Sequence, residues 1–152
     1  MMLSRYLYFL VCFIFFVFTD LYFTNVLLEE AAKGYDFSNS VFMLKYVQNT
    51  GAAFNILHNS REILIILASA ALTLIFMYIA RHARSLSFKE SFFTALLSAG
   101  IAGNLHERIQ LGFVRDFFKL NFIDFPVFNI SDVFITVGTA ALIILILIKK
   151  TK

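Results

Sequence analysis

Residues 6–28 read YLYFLVCFIFFVFTDLYFTNVLL, a run of 23 residues whose single ionisable group besides tyrosine and cysteine is Asp20, in its last third. A helix needs about 17–25 apolar residues to cross hydrocarbon, and this run has that length. A cleaved leader is excluded because the run is too long and too bulky. Phe and Tyr stand where small residues would mark a cleavage site. Three more apolar stretches follow, at about 62–80, 88–103 and 130–148, the third span being the shortest. The chain therefore reads as a mainly α membrane protein with four transmembrane helices, a single integral-membrane domain over residues 1–152. Composition agrees: 60% of the residues are apolar, with twenty Phe and one Pro, against about 45–50% apolar in a soluble domain.

The net charge of +3 implies no nucleic-acid partner, because the cations lie between or after the apolar runs and form no continuous stripe. Four spans put both termini on one side of the bilayer. Arg5, Arg81, Arg84, Lys89, Lys149, Lys150 and Lys152 crowd that side in short segments, whereas Lys33, Lys45, Arg61, Arg108, Arg115 and Lys119 are spread over two longer loops. The denser side is cytoplasmic by the positive-inside rule. Loops of about 29–61 and 104–129 then face outward. A lone Cys12 has no partner for a disulfide, and His58, His82 and His106 are scattered over three loops, so no metal site is expected.

The first outer loop is not plain linker. FMLKYVQNTGAAFNIL, residues 42–57, carries β-branched and aromatic residues on both sides of Asn49-Thr50-Gly51, a turn signal. A small extracytoplasmic sheet built from those two flanks is the expectation.

The second outer loop leads into the acids. GNLHERIQLGFVRDFF, Gly103–Phe118, holds Glu107, Arg108, Arg115 and Asp116, and Asp132 opens the last apolar run. Ionisable groups at membrane depth are costly and face an interior or a watery cavity. Two carboxylates brought together share a proton, so that one takes a proton from water while the other polarises a carbonyl. Asp116 and Asp132 are spaced so that the loop lets them meet. An Asp at a span end is also commonly a helix N-cap, and Ser131-Asp132 ahead of an apolar run fits that reading equally. Spacing leaves both open.

Three motifs in order narrow the choice. NTGAAF at Asn49–Phe54, GNLHERIQLGFVRDF at Gly103–Phe117, and FNISD at Phe128–Asp132 with Gly138 six residues on resemble the signatures of lipoprotein signal peptidases (signal peptidase II), the aspartic peptidases of bacterial inner membranes. The likeness covers nearly the whole chain. It implies four helices with an extracytoplasmic β-cradle and a short mobile periplasmic helix over the site. By position it implies Asp116 and Asp132 as the catalytic pair. It implies Asn49, Asn104, Arg108 and Asn129 as substrate-binding residues, and Asp20, Gly51 and Glu107 as supporting ones. The implied substrate is a prolipoprotein whose lipobox Cys already carries diacylglycerol, cut just before that Cys, with its acyl tails against the Phe-rich spans and membrane lipid. No cofactor or metal is implied.

The chain departs from the family pattern in four places. Glu107 replaces an Asp, Arg115 replaces the Val before the catalytic Asp, Thr24 replaces a Lys and Ser131 replaces an Ala. Glu107 and Arg115 motivate an alternative, a divergent non-catalytic homologue that binds lipoproteins or signal peptides. A proton-coupled transporter built on Asp20, Asp116 and Asp132 is disfavoured, since spans two and three carry no ionisable residue in their interiors.

Overall fold

A computed structural model of the chain describes residues 2–34, 37–52 and 56–150. The elements in order are α1 (Met2–Ala32), β1 (Phe42–Asn49), α2 (Arg61–His82), α3 (Phe88–Leu111), β2 (Val114–Leu120) and α4 (Ile130–Lys150). Three helical stretches, Arg5–Ala32, Arg61–His82 and Ile130–Lys150, are long and apolar enough to cross a membrane. The first apolar run extends at both ends into a helix of 31 residues, about 46 Å long, so it overshoots a hydrocarbon core of about 30 Å.

The expected third span is different. It forms a helix, but one of 24 residues that runs on to Leu111 and carries Lys89, Glu90, His106, Glu107 and Arg108. On apolarity it does not qualify as a crossing, and three spans, not four, meet the criterion among the described residues. The reason lies in its surroundings: α3 packs against α1, α2 and α4 and turns its polar residues inward. Ser91, Thr94, Ser98, Asn104 and Glu107 are buried on it, together with Ala95, Ala99, Gly100 and Gly103. Small residues let helix backbones approach closely where no hydrophobic effect drives them together. A Cβ on Gly103 would overlap the Ser131 hydroxyl and the Asp20 carboxylate, and one on Gly138 would lie 2.9 Å from the Leu97 backbone nitrogen.

Helix α3 has defined ends. Ser87 and Glu90 form a capping box, with the Glu90 N–H donating to Ser87 Oγ (3.1 Å) and the Ser87 N–H to Glu90 Oε2 (2.6 Å). Gly112 ends it at φ +87°, a left-handed conformation that favours glycine. At the capped end the chain's two termini gather. Arg5 Nη1 donates to the carbonyls of Arg84 (2.9 Å) and Leu86 with its guanidinium over the Phe88 ring, and Lys149 pairs with Glu90 at 3.2 Å. Phe9, Ile79, Leu86 and Ala95 form the apolar core there.

The sheet lies at the other end and differs from the expected hairpin. β1 forms as anticipated, but its partner is β2 from the second loop, antiparallel, and not the segment after Gly51. Residues 56–59 are turn, and 53–55, which include Phe54 of the first motif, lie outside the described residues. The register runs Phe42↔Leu120, Met43↔Lys119, Leu44↔Phe118 and then Val47↔Asp116, Gln48↔Arg115, Asn49↔Val114. β1 therefore spends one extra residue, a bulge. Since side chains alternate faces, that extra residue moves Asn49 onto the face that carries Val114, Asp116 and Phe118. Among the described residues there is no short helix besides α1–α4, so the expected periplasmic helix is not found there.

Candidate active site

Asp116 is 1% exposed at the middle of β2. Its Oδ2 accepts from Asn49 Nδ2 and its Oδ1 from Asn129 Nδ2, both at 2.9 Å. The bulge is what brings Asn49 within reach. Asn49 also accepts from the Gly51 N–H at 2.9 Å through Oδ1. A side chain that must donate at one end and accept at the other explains an amide at this position.

Asp132 is fixed by the start of α4. Asn129 precedes the helix, its Oδ1 accepting from the Asp132 N–H (2.8 Å) while Asp132 Oδ2 accepts from the Asn129 N–H (3.2 Å). This is a reciprocal N-terminal box, with Asn129 as the cap, not Ser131-Asp132. Capping and site-building turn out to be one arrangement. Asp132 Oδ1 takes a further bond from Asn104 Nδ2 of α3 (2.9 Å), and Asn104 Oδ1 accepts from Asn129 Nδ2 (2.9 Å). Asn129 thus touches both carboxyls, Asp116 by side chain and Asp132 by backbone.

Burial pushes the Asp116 carboxyl up to about 7, helped by the nearby Asp132 and Glu107 carboxylates and opposed by the hydrogen bonds from Asn49 and Asn129. An acid poised near neutrality can both give and take a proton.

The other residues expected at the site are gathered around this pair. Arg108 donates from Nη2 to the Gly51 carbonyl (2.8 Å) and from Nη1 to the Asn104 carbonyl (3.2 Å), and its Nε is buried with no hydrogen-bond partner among the described residues. Asp20, 4% exposed, accepts from Ser131 Oγ at 2.8 Å, so it supports the residue next to Asp132 and does not touch the pair's hydrogen bonds. Among the described residues the hydrogen bonds to Glu107 come from Arg115, through its N–H (2.7 Å) and Nε (2.6 Å).

Several partners were not foreseen from the sequence. Ser131 serves Asp20 across 111 residues, and Arg61 on α2 donates to the Arg108 and Ile109 carbonyls, both at 2.9 Å, closing the end of α3. The departures Glu107 and Arg115 are satisfied by each other, and Ser131 by Asp20. Thr24 is buried at 5% exposure. No spacing rule links such distant positions. The one local signal was the Asn-x-x-Asp box at Asn129–Asp132.

The sequence profile described as signal peptidase (SPase) II matches residues 10–148. A lipoprotein signal peptidase of Clostridioides difficile (strain 630) is 41% identical over 114 residues, 75% of this chain and 76% of that protein. One from Streptococcus thermophilus (strain CNRZ 1066) is 34% identical over 122 residues, 80% of this chain and 77% of that one. Two solved structures described as a bacterial membrane enzyme, determined in meso at 2.3 Å and 1.9 Å, superpose with TM-scores of 0.79 and 0.75. They are 27% and 26% identical and cover 95% and 91% of this chain, and 89% and 92% of their own chains. With matches that run nearly end to end and a helical membrane fold in common, the chain belongs to the signal peptidase II family.

Proposed function

We propose that the chain is an aspartic endopeptidase that cuts diacylglyceryl-modified prolipoproteins immediately before the lipidated Cys and so releases the signal peptide. The observation that carries this reading is Asn129, which holds Asp116 and Asp132 from two different elements in one hydrogen-bonded unit. The relatives' shared description as lipoprotein signal peptidases supports the substrate. The alternative of a non-catalytic binder loses its motive, because Glu107 and Arg115 pair with each other and leave both aspartates in place.

In this reading Asp116, whose carboxyl keeps its proton up to about pH 7, donates to the scissile carbonyl oxygen. Asp132 takes a proton from water, and the water oxygen attacks the carbonyl carbon. The tetrahedral diol then collapses: Asp132 passes its proton to the amide nitrogen, Asp116 recovers one from a diol hydroxyl, the C–N bond breaks, and a carboxylic acid and a free Cys amine leave and exchange a proton in water. Asn129 uses both N–H groups and its oxygen within the site, so it positions the pair instead of binding substrate. Among the described residues, Asn49 and Asn104 each have one N–H left beyond their bonds to Asp116 and Asp132. These, with Arg108 Nε, which has no partner among the described residues, are donors for a substrate backbone that has left its helix at the membrane edge.

The same reading makes α3 a fourth crossing. Its 24 residues span about 36 Å, and α1, α2 and α4 shield its polar face. The cluster of Arg81, Arg84, Lys89, Lys149 and Lys150 supports cytoplasmic termini by the positive-inside rule, with the carboxyl pair at the outer face of the bacterial inner membrane.

The test is purified protein in lipid with two substrates, one prolipoprotein carrying diacylglycerol on its lipobox Cys and one without it. Cleavage of the lipidated form alone, with Cys as the new N-terminus, is expected. Retention of the lipidated form uncut identifies a binder and overturns the reading.

A further inference from the structure

Arg115 departs from the family motif, standing where a Val is usual, and it sits one residue before Asp116. Its N–H and its Nε close on the two oxygens of one carboxylate, Glu107, at 2.7 and 2.6 Å. Both side chains are largely buried, at 13% and 7% exposure. A buried pair of this kind is a costly arrangement for stability alone. It does two physical things here. It satisfies a main-chain N–H of β2 and ties that strand to α3, the helix that carries Asn104. It also sets a cation against an acid whose negative charge bears on the Asp116 carboxyl.

The charges around the pair are few. α1 brings Asp20, with His106 of α3 near it; α3 brings Glu107 and Arg108; α4 brings Asp132 itself. α2 brings Arg61, held on the Arg108 and Ile109 carbonyls, and β1 brings the neutral Asn49. Asp132, Asp116 and Glu107 therefore act on Arg108, and Arg115 pairs with Glu107. Removing either member of the Glu107–Arg115 pair changes that balance by one unit.

We propose that Arg115 is a positioning residue for Asp116: through Glu107 it anchors the strand to α3 and holds the charge that sets where the Asp116–Asp132 pair exchanges its proton. This rests on the reading of the two aspartates as a proton-sharing pair.

The experiment compares Glu107→Gln, Arg115→Val and the double variant in the full-length protein in lipid. Titration of Asp116 is followed without substrate by infrared difference spectroscopy, as the carboxylic C=O band that Asp116→Asn removes. Glu107→Gln leaves Arg115 uncompensated and is expected to move the titration to lower pH by about half to one unit. Arg115→Val leaves Glu107 uncompensated and moves it to higher pH, by less where Glu107 itself takes up a proton. The double variant returns it to the wild-type position, and the pH profile of cleavage follows the band. Glu107→Gln keeps the volume and an acceptor for the Arg115 N–H, so it decides the matter if Arg115→Val does not fold. Rates that fall while the titration stays within about 0.2 units in Glu107→Gln and in the double variant overturn the proposal. Because the band is read without turnover, an uncut lipidated substrate sinks the peptidase reading separately from this one.

Discussion

α2 and α3 are consecutive helices of similar length, 22 and 24 residues, and they sort their residues in opposite ways. α2 buries only Leu64 and Ile79 and exposes Ile63, Ile66, Leu67, Leu74, Met77 and Tyr78. α3 buries serines, a threonine, an asparagine and a glutamate, separated by Ala and Gly. In hydrocarbon an aliphatic face needs no cover, while every polar group needs a partner. The helix with the least span-like composition is therefore the one at the centre, and it carries the groups that hold the site. α2 supplies length, an aromatic contact to α1 and the Arg61 latch.

That contrast can be broken by mutation, and the expected effects are graded. Outside the carboxyl pair the largest is on Asn129. Asn129→Leu removes the side-chain bonds to Asp116, to Asn104 and from the Asp132 N–H, leaves the main-chain N–H on Asp132, and so breaks the link between the two carboxyls; it is expected to lower kcat by about a hundredfold with KM little changed. The helix-cap loss costs about 1 kcal/mol, which unfolding in mild detergent should register.

Next is Gly103→Leu. Its Cβ has no room beside Ser131 and Asp20, so the variant should lose about 3 kcal/mol or fail to fold, as read by thermal unfolding. Tolerance of Leu there would mean that α1, α3 and α4 are not packed as described.

A pH effect comes third. Burial raises the Asp116 carboxyl to about 7 in the folded protein, whereas an unfolded Asp titrates near about 4. The folded state binds that proton more tightly, so this group's contribution is complete below about pH 4 and is lost as pH rises through about 7. Stability should fall by about 2 kcal/mol between pH 5 and 7 from this group, and Asp116→Asn should flatten that slope. Cleavage should also decline above about pH 7, where the pair loses its shared proton.

The smallest effect is predicted on α2. Ile66→Ala and Leu67→Ala, at positions 65% and 55% exposed, should change stability by less than about 0.5 kcal/mol and leave cleavage unaltered. A large loss at either position would mean that this face is covered by protein.

Legibility in the sequence follows the same divide. Where lipid imposes length and apolarity, as over Tyr6–Leu28 or Ile130–Ile148, the run of residues announces the helix. Where protein surrounds the helix the signal fades: Phe88–Gly103 reads short because Lys89, Glu90 and the serines interrupt it, although α3 continues to Leu111. β1 is readable from its β-branched and aromatic residues beside a turn signal, but its partner lies about 70 residues away across two helices, and local turn chemistry favoured the wrong one. Asp116 and Asp132 stood out through motif likeness. The bonds that make them a unit, from Asn129 and from Asn49 across a bulge, depend on register, which no local pattern encodes.

The claim on which the account rests is that Asp116 and Asp132 act together on one water. Its most direct measurement is cleavage of a lipidated prolipoprotein by Asp116→Asn and by Asp132→Asn, each confirmed as folded in lipid. Both should fall by about a thousandfold or more, because one carboxyl cannot supply both the acid and the base. Cleavage near the wild-type rate by either variant would contradict it.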